Sequence, residues 1–77
     1  MSRSDIEMRA ELAGSIWKVF VSPGDAVLDG QQLLVMETMK MEIPVMSEAD
    51  GTVVDVNVST GEQVREGDVL VVVGVAR

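Results

Sequence analysis

An all-β domain is the fold class this 77-residue sequence predicts: a flattened antiparallel barrel or sandwich of about seven or eight short strands with an internal pseudo-two-fold, a barrel-sandwich hybrid. Three observations carry the expectation. Fifteen valines stand against one tryptophan, one phenylalanine and no tyrosine, and β-branched side chains suit a pleated surface. Apolar and polar residues alternate in runs of strand length, most of them closed by glycine or aspartate. The chain also repeats itself. Displaced by 37 positions, Gly14 falls on Gly51, Val19 on Val56, Ser22 on Ser59, Gly24 on Gly61, Val27 on Val64, Gly30 on Gly67 and Leu33 on Leu70. Asp25 meets Glu62 and Asp29 meets Glu66, so charge is kept as well. Each copy is too small to bury its own apolar face, and two copies packed together solve that problem.

The elements follow in order. Residues 1–6 are polar and read as a loose terminus, with the domain over 7–77. From Glu7, Met8, Ala10 and Leu12 alternate with Arg9 and Glu11 in a half-buried strand that Ala13-Gly14 breaks. A second strand runs from Ser15 to Val21 and stops at Ser22-Pro23-Gly24-Asp25. Ala26 to Gly30 is a short segment, Gln32 to Thr38 a strand, and Met41 to Met46 another. After the polar turn Ser47 to Gly51, the pattern is replayed: a strand over 52–58, the turn Ser59-Thr60-Gly61-Glu62, a short segment at Val64 and a last strand over 69–75.

The two copies assign faces. Trp17, Val19 and Val21 coincide with Val54, Val56 and Val58, so that parity is expected inside; Ile16, Lys18 and Phe20 coincide with Val53, Asp55 and Asn57 and are expected outside. Leu34, Met36 and Thr38 are expected inside with Val35 outside, and Ile43 and Val45 inside with Glu42 and Pro44 outside. Pro44 lacks an N–H, so its strand cannot be fully paired there.

Composition narrows the chemistry. A net charge of -7 argues against nucleic acid and anionic membranes as partners. The first residues lead into no long apolar core and no stretch reaches membrane-spanning length, so a cytoplasmic setting is the expectation. The chain has no cysteine and no histidine, which removes the thiol nucleophile, the commonest general base and any thiolate metal site. Asp25, Asp29, Glu62, Glu66 and Asp68 gather in turn sequences, where carboxylates serve as turn formers beside glycines. Neither a catalytic residue nor a metal ligand set is expected.

Lys40 stands apart. It sits in Glu37-Thr38-Met39-Lys40-Met41-Glu42, where two β-type runs meet near the middle of the chain, and Lys18 is the one other lysine. An exposed hairpin lysine needs no special explanation. Two flanking methionines do, because polar side chains are commoner at a tip and methionine is over-used at adaptable binding surfaces. From the residues alone Lys40 reads either as an ordinary surface amine or as an attachment point.

The same hexapeptide resembles the Met-Lys-Met motif of biotinyl carrier domains, the biotin carboxyl carrier family of biotin-dependent carboxylases, and the resemblance extends from about Arg9 to Val75. Related lipoyl domains usually carry Asp-Lys-Ala at the tip, so Met39 and Met41 favour biotin. Phe20-Val21-Ser22-Pro23-Gly24 runs straight on, without the protruding insertion of some carriers, and the chain looks more like short stand-alone biotin/lipoyl attachment proteins or the terminal domain of larger carboxylases. Thr38 departs from the usual Ala or Ser. The resemblance implies covalent biotin on Lys40, flanking recognition by Met39 and Met41, loading by a biotin protein ligase, and carboxyl shuttling between biotin carboxylase and carboxyltransferase sites. It implies a non-catalytic component of a carboxylase. A lipoyl carrier and a non-covalent β-barrel interaction module are the alternatives.

Overall fold

The computed structural model describes residues 3–76. It contains eight strands: β1 (Arg3–Arg9), β2 (Gly14–Val19), β3 (Ala26–Val27), β4 (Gln32–Thr38), β5 (Met41–Met46), β6 (Gly51–Val56), β7 (Gln63–Val64) and β8 (Val69–Ala76). They form two four-stranded sheets, ordered β1-β8-β6-β3 and β5-β4-β2-β7, with every pairing antiparallel. The sheets enclose one core built on Ile16, Leu33, Leu34 and Met36 from the first half and Val53, Leu70, Val71 and Val73 from the second. Full burial of one such aliphatic side chain stabilises the fold by about 1.5–3 kcal/mol.

The repeat is present in the backbone. Hydrogen bonds outside the ladders occur as mates 37 residues apart, and their lengths agree within 0.1 Å. Gly24 N–H donates to Val53 C=O as Gly61 N–H donates to Ile16 C=O; Phe20 N–H donates to Leu33 C=O as Asn57 N–H donates to Leu70 C=O. Ala10 and Ser47 are each clamped on both sides, by Gly67 and Asp68 in one case and by Gly30 and Gln31 in the other. Side chains follow the same operator. Asp25 accepts from Ser22 N–H as Glu62 accepts from Ser59 N–H, and the turn glycines that follow the two serines, Gly24 and Gly61, have φ of 97° and 91°. The halves are interleaved: each sheet takes two strands from residues before Met39 and two from residues after Lys40.

Several expectations need correction. The loose start expected over 1–6 does not hold for residues 3–6, which form the outer end of β1 against Val73 to Ala76. That strand ends at Arg9, and Leu12, beyond it, is exposed. Faces on β2 and β6 invert at their starts. Ile16 is 1% exposed and Trp17 44%, and likewise Val53 is buried while Val54 is exposed. The cause is a β-bulge in each strand, between Ile16 and Lys18 and between Val53 and Asp55, at positions 37 residues apart. An extra residue restarts the alternation. Beyond the bulges Val19, Val21, Val56 and Val58 turn inward and Phe20 outward, as expected. Val35 is buried but stands outside the core cluster, on the outer face, where Lys18 and Pro44 are its cross-strand neighbours. Two further bulges 37 residues apart, at Leu33 in β4 and Leu70 in β8, let Leu33 with Leu34 and Leu70 with Val71 reach the core. Ile43 and Val45 pack on the core with Glu42 and Pro44 outside, and Pro44 lies in edge strand β5, where a missing donor is tolerated.

The overall dimensions are 43 × 19 × 18 Å. The longest strand has eight residues, about 26 Å at 3.3 Å per residue. The long axis therefore needs the β4/β5 pair and the β1/β8 pair to project from the middle in opposite directions. Arg77, the expected mate of Lys40 under the repeat, lies outside the described residues.

Candidate functional site

Strands β4 and β5 are paired from Gln32↔Met46 to Thr38↔Met41, leaving Met39 and Lys40 as a two-residue loop. Both loop residues have positive φ, 47° and 70°. Positive φ at both central positions is the mark of the type I′ turn, whose twist matches that of the flanking strands. Such turns ordinarily use Asn-Gly. Here two L-residues with long side chains occupy them, at about 1–2 kcal/mol each. A hairpin built only for stability would not choose this pair, and strain of this kind gathers at functional sites.

The turn sets what the tip displays. Lys40 is exposed, Met39 is 92% exposed and Met41 62%. Apolar surface is thus held in water on both sides of the amine. One strand position below the Thr38–Met41 pair, Glu37 lies directly opposite Glu42, and both are exposed. Like charges so placed are mildly destabilising, and they give the neck beneath the amine an acidic character. Glu42 is exposed as expected, and the pairing with Glu37 is not evident from either strand alone. The near-palindrome Glu-Thr-Met-Lys-Met-Glu carries that signal once the loop is known to be two residues long.

Lys18, the other lysine, lies in β2 opposite Val35, with its Nζ 5.6 Å from the centroid of the Trp17 ring. It is an exposed side chain on a paired strand and not in a hairpin turn. The acidic turn residues act on their own backbone: Asp25, Glu62 and Asp68 accept from Ser22, Ser59 and Arg65 N–H, and Asp50 accepts from Asp29 N–H. No metal-binding group of carboxylates forms among the described residues.

An open groove of about 590 Å³ runs beside the tip. Glu37, Thr38 and Met39 bound one side, Gln63 to Arg65 the other, and Ala13 to Ser15 lie between. Gly14 lets the strands close up here, since a Cβ on it would come 2.8 Å from the Glu37 carbonyl oxygen.

Comparison with known proteins places this geometry. A family model described as "Biotin-requiring enzyme" matches residues 7–73. The biotin/lipoyl attachment protein of Bacillus subtilis (strain 168) is 45% identical over 38 residues, 49% of this chain and 52% of that protein. The match thus spans about half the length of that relative. Among solved structures, the urea carboxylase of Kluyveromyces lactis superposes with a TM-score of 0.85 at 28% identity, over 91% of this chain and 6% of that much larger one. The lipoyl domain of the 2-oxoglutarate dehydrogenase complex of Azotobacter vinelandii superposes with a TM-score of 0.71 at 26% identity, over 87% of this chain and 90% of that one. With nearly the whole body matched, from the first core strand to the last, this chain belongs to the biotin-requiring enzyme family of biotinyl and lipoyl attachment domains.

Proposed function

We propose that the chain is a biotin carboxyl carrier whose attachment residue is Lys40, with Met39 and Met41 as the recognition surface for the proteins that load and use it. The observation that carries this reading is a strained two-residue turn that spends its left-handed positions on displaying an amine between two exposed methionines. A primary amine free of burial fits an amide-linked group. In loading by a biotin protein ligase, Lys40 Nζ attacks the adenylate-activated carboxyl carbon, the amide C–N bond forms, AMP leaves, and the amine proton passes to a base. The amine must give up a proton as it attacks, and this chain has no histidine to take it. The ligase therefore supplies the base or the desolvation. Once bound, biotin supplies a ring nitrogen that accepts a carboxyl group at a biotin carboxylase site and yields it at a carboxyltransferase site.

The domain itself contributes position and does no catalysis. A rigid body about 19 Å across enters a cleft at little ordering cost, and a tether raises the effective concentration of its cargo at both sites. Lipoate is the second reading, because lipoyl domains share the fold; the methionines weigh against it. Co-expression with a biotin protein ligase, followed by streptavidin blotting, tests the proposal. The native chain is expected to label and Lys40→Arg to be silent with an unchanged fold. Label persisting in Lys40→Arg refutes the assignment, and an intact mass carrying lipoate would replace the cofactor.

A further inference from the structure

We infer that the groove beside the tip is a resting site for the ring of the group carried on Lys40, with Gln63 and Arg65 meeting its ureido edge. The inference rests on the attachment proposed above and adds where the cargo lies when no partner holds it. The groove begins at the attachment turn itself, with Glu37 and Met39 on its wall.

The pseudo-two-fold supplies an internal control. The mates of Gln63, Val64 and Arg65 in the other half are Ala26, Val27 and Leu28. Val64 and Val27 are both buried, so the fold requires the middle residue of each trio. It does not require an amide and a guanidinium on either side, because the other half is built with alanine and leucine. Those two polar groups occur only at the end that bears the attachment turn.

Their chemistry matches a cyclic urea. A ureido ring presents one carbonyl acceptor and two N–H donors. Arginine offers only donors and suits the carbonyl, while the glutamine carbonyl accepts from a ring N–H. Both residues stand on fixed backbone. Gln63 is paired with Ser15 and Val64 with Gly14. Arg65 N–H donates to Asp68 Oδ2 at 2.8 Å, and its carbonyl accepts from Asp68 N–H at 3.0 Å. Because the cargo is tethered, contacts too weak to hold free ligand are populated.

The test compares the unloaded and fully biotinylated chain, ¹⁵N-labelled, by NMR, with loading verified by intact mass. A double variant, Gln63→Ala with Arg65→Leu, introduces the residues the other half already uses, and thermal unfolding checks that it folds. Loading is expected to shift resonances of Ser15, Gln63 and Arg65 as well as the turn, with cross-peaks between ring protons and the Gln63 side-chain amide. In the double variant the shifts shrink to Thr38 to Met41. Shifts confined to the turn in the native sequence, or an unchanged pattern in the double variant, overturn the resting site. A chain that gains no mass at Lys40 overturns the attachment reading, and this inference falls with it.

Discussion

Replacing Met39 by glycine should make this protein more stable and a poorer substrate for the biotin protein ligase proposed to load it. The magnitude follows from the turn. Met39 has φ of 47°, and an L-residue held in the left-handed region costs about 1–2 kcal/mol. Glycine removes that cost but brings a more flexible unfolded chain, about 0.5–1 kcal/mol in the other direction. The side chain is 92% exposed, so deleting it forfeits little packing. At the midpoints of the two ranges the net gain is about 0.75 kcal/mol. In a domain of this size 1 kcal/mol moves the melting temperature by about 4–8 °C, so a rise of about 3–6 °C is expected. Thermal unfolding by circular dichroism measures it, with Met39→Ala as the control. Alanine removes the same side chain and keeps the Cβ, so it should melt with the native protein. Both variants should label more slowly in a ligase assay with the native chain as competitor. If glycine and alanine melt together, the turn is not strained as argued. If the glycine variant labels at the native rate, the displayed methionine is not what the ligase reads.

Further outcomes follow from the packing. Gly61→Val and Gly24→Val should each destabilise by about 1–3 kcal/mol, since their φ of 91° and 97° is strained for any side chain although the space around them is open; equal melting temperatures for native and variant would contradict the paired turns. Ile16→Ala should cost about 2–5 kcal/mol and Trp17→Ala much less, because the bulge puts Ile16 in the core and the half-exposed Trp17 outside it; urea unfolding separates them, and the reverse order would restore simple alternation. Pro44→Val restores a backbone donor to edge strand β5 and should favour strand-to-strand association, visible as a concentration-dependent shift in size-exclusion chromatography.

Much of this was legible in the residues. The turn glycines, the serines before them and the carboxylates that close each turn recur at one offset, and the backbone hydrogen bonds repeat with the same offset. What pattern reading missed was local. Trp17 and Val54 look like inward residues because their valine-rich surroundings alternate, and a bulge breaks alternation without any change in composition. Parity turns Val35 outward, yet it is buried, between cross-strand neighbours that no single-strand pattern can reveal. At the tip the sequence isolates Lys40 and its methionines. The left-handed turn and the opposed Glu37 and Glu42 required the pairing register.

The interleaving of the halves bears on how the molecule comes into being. Since each sheet draws strands from both sides of Lys40, a nascent chain stopped at the turn has half of each sheet and no finished face. Closure must await residues near the far end, so folding should be late, all-or-none and slow for so short a polypeptide. A ligase of the kind proposed, recognising the finished turn, would then find its substrate only once β8 has been made, and modification would serve as a check on the maturity of the domain.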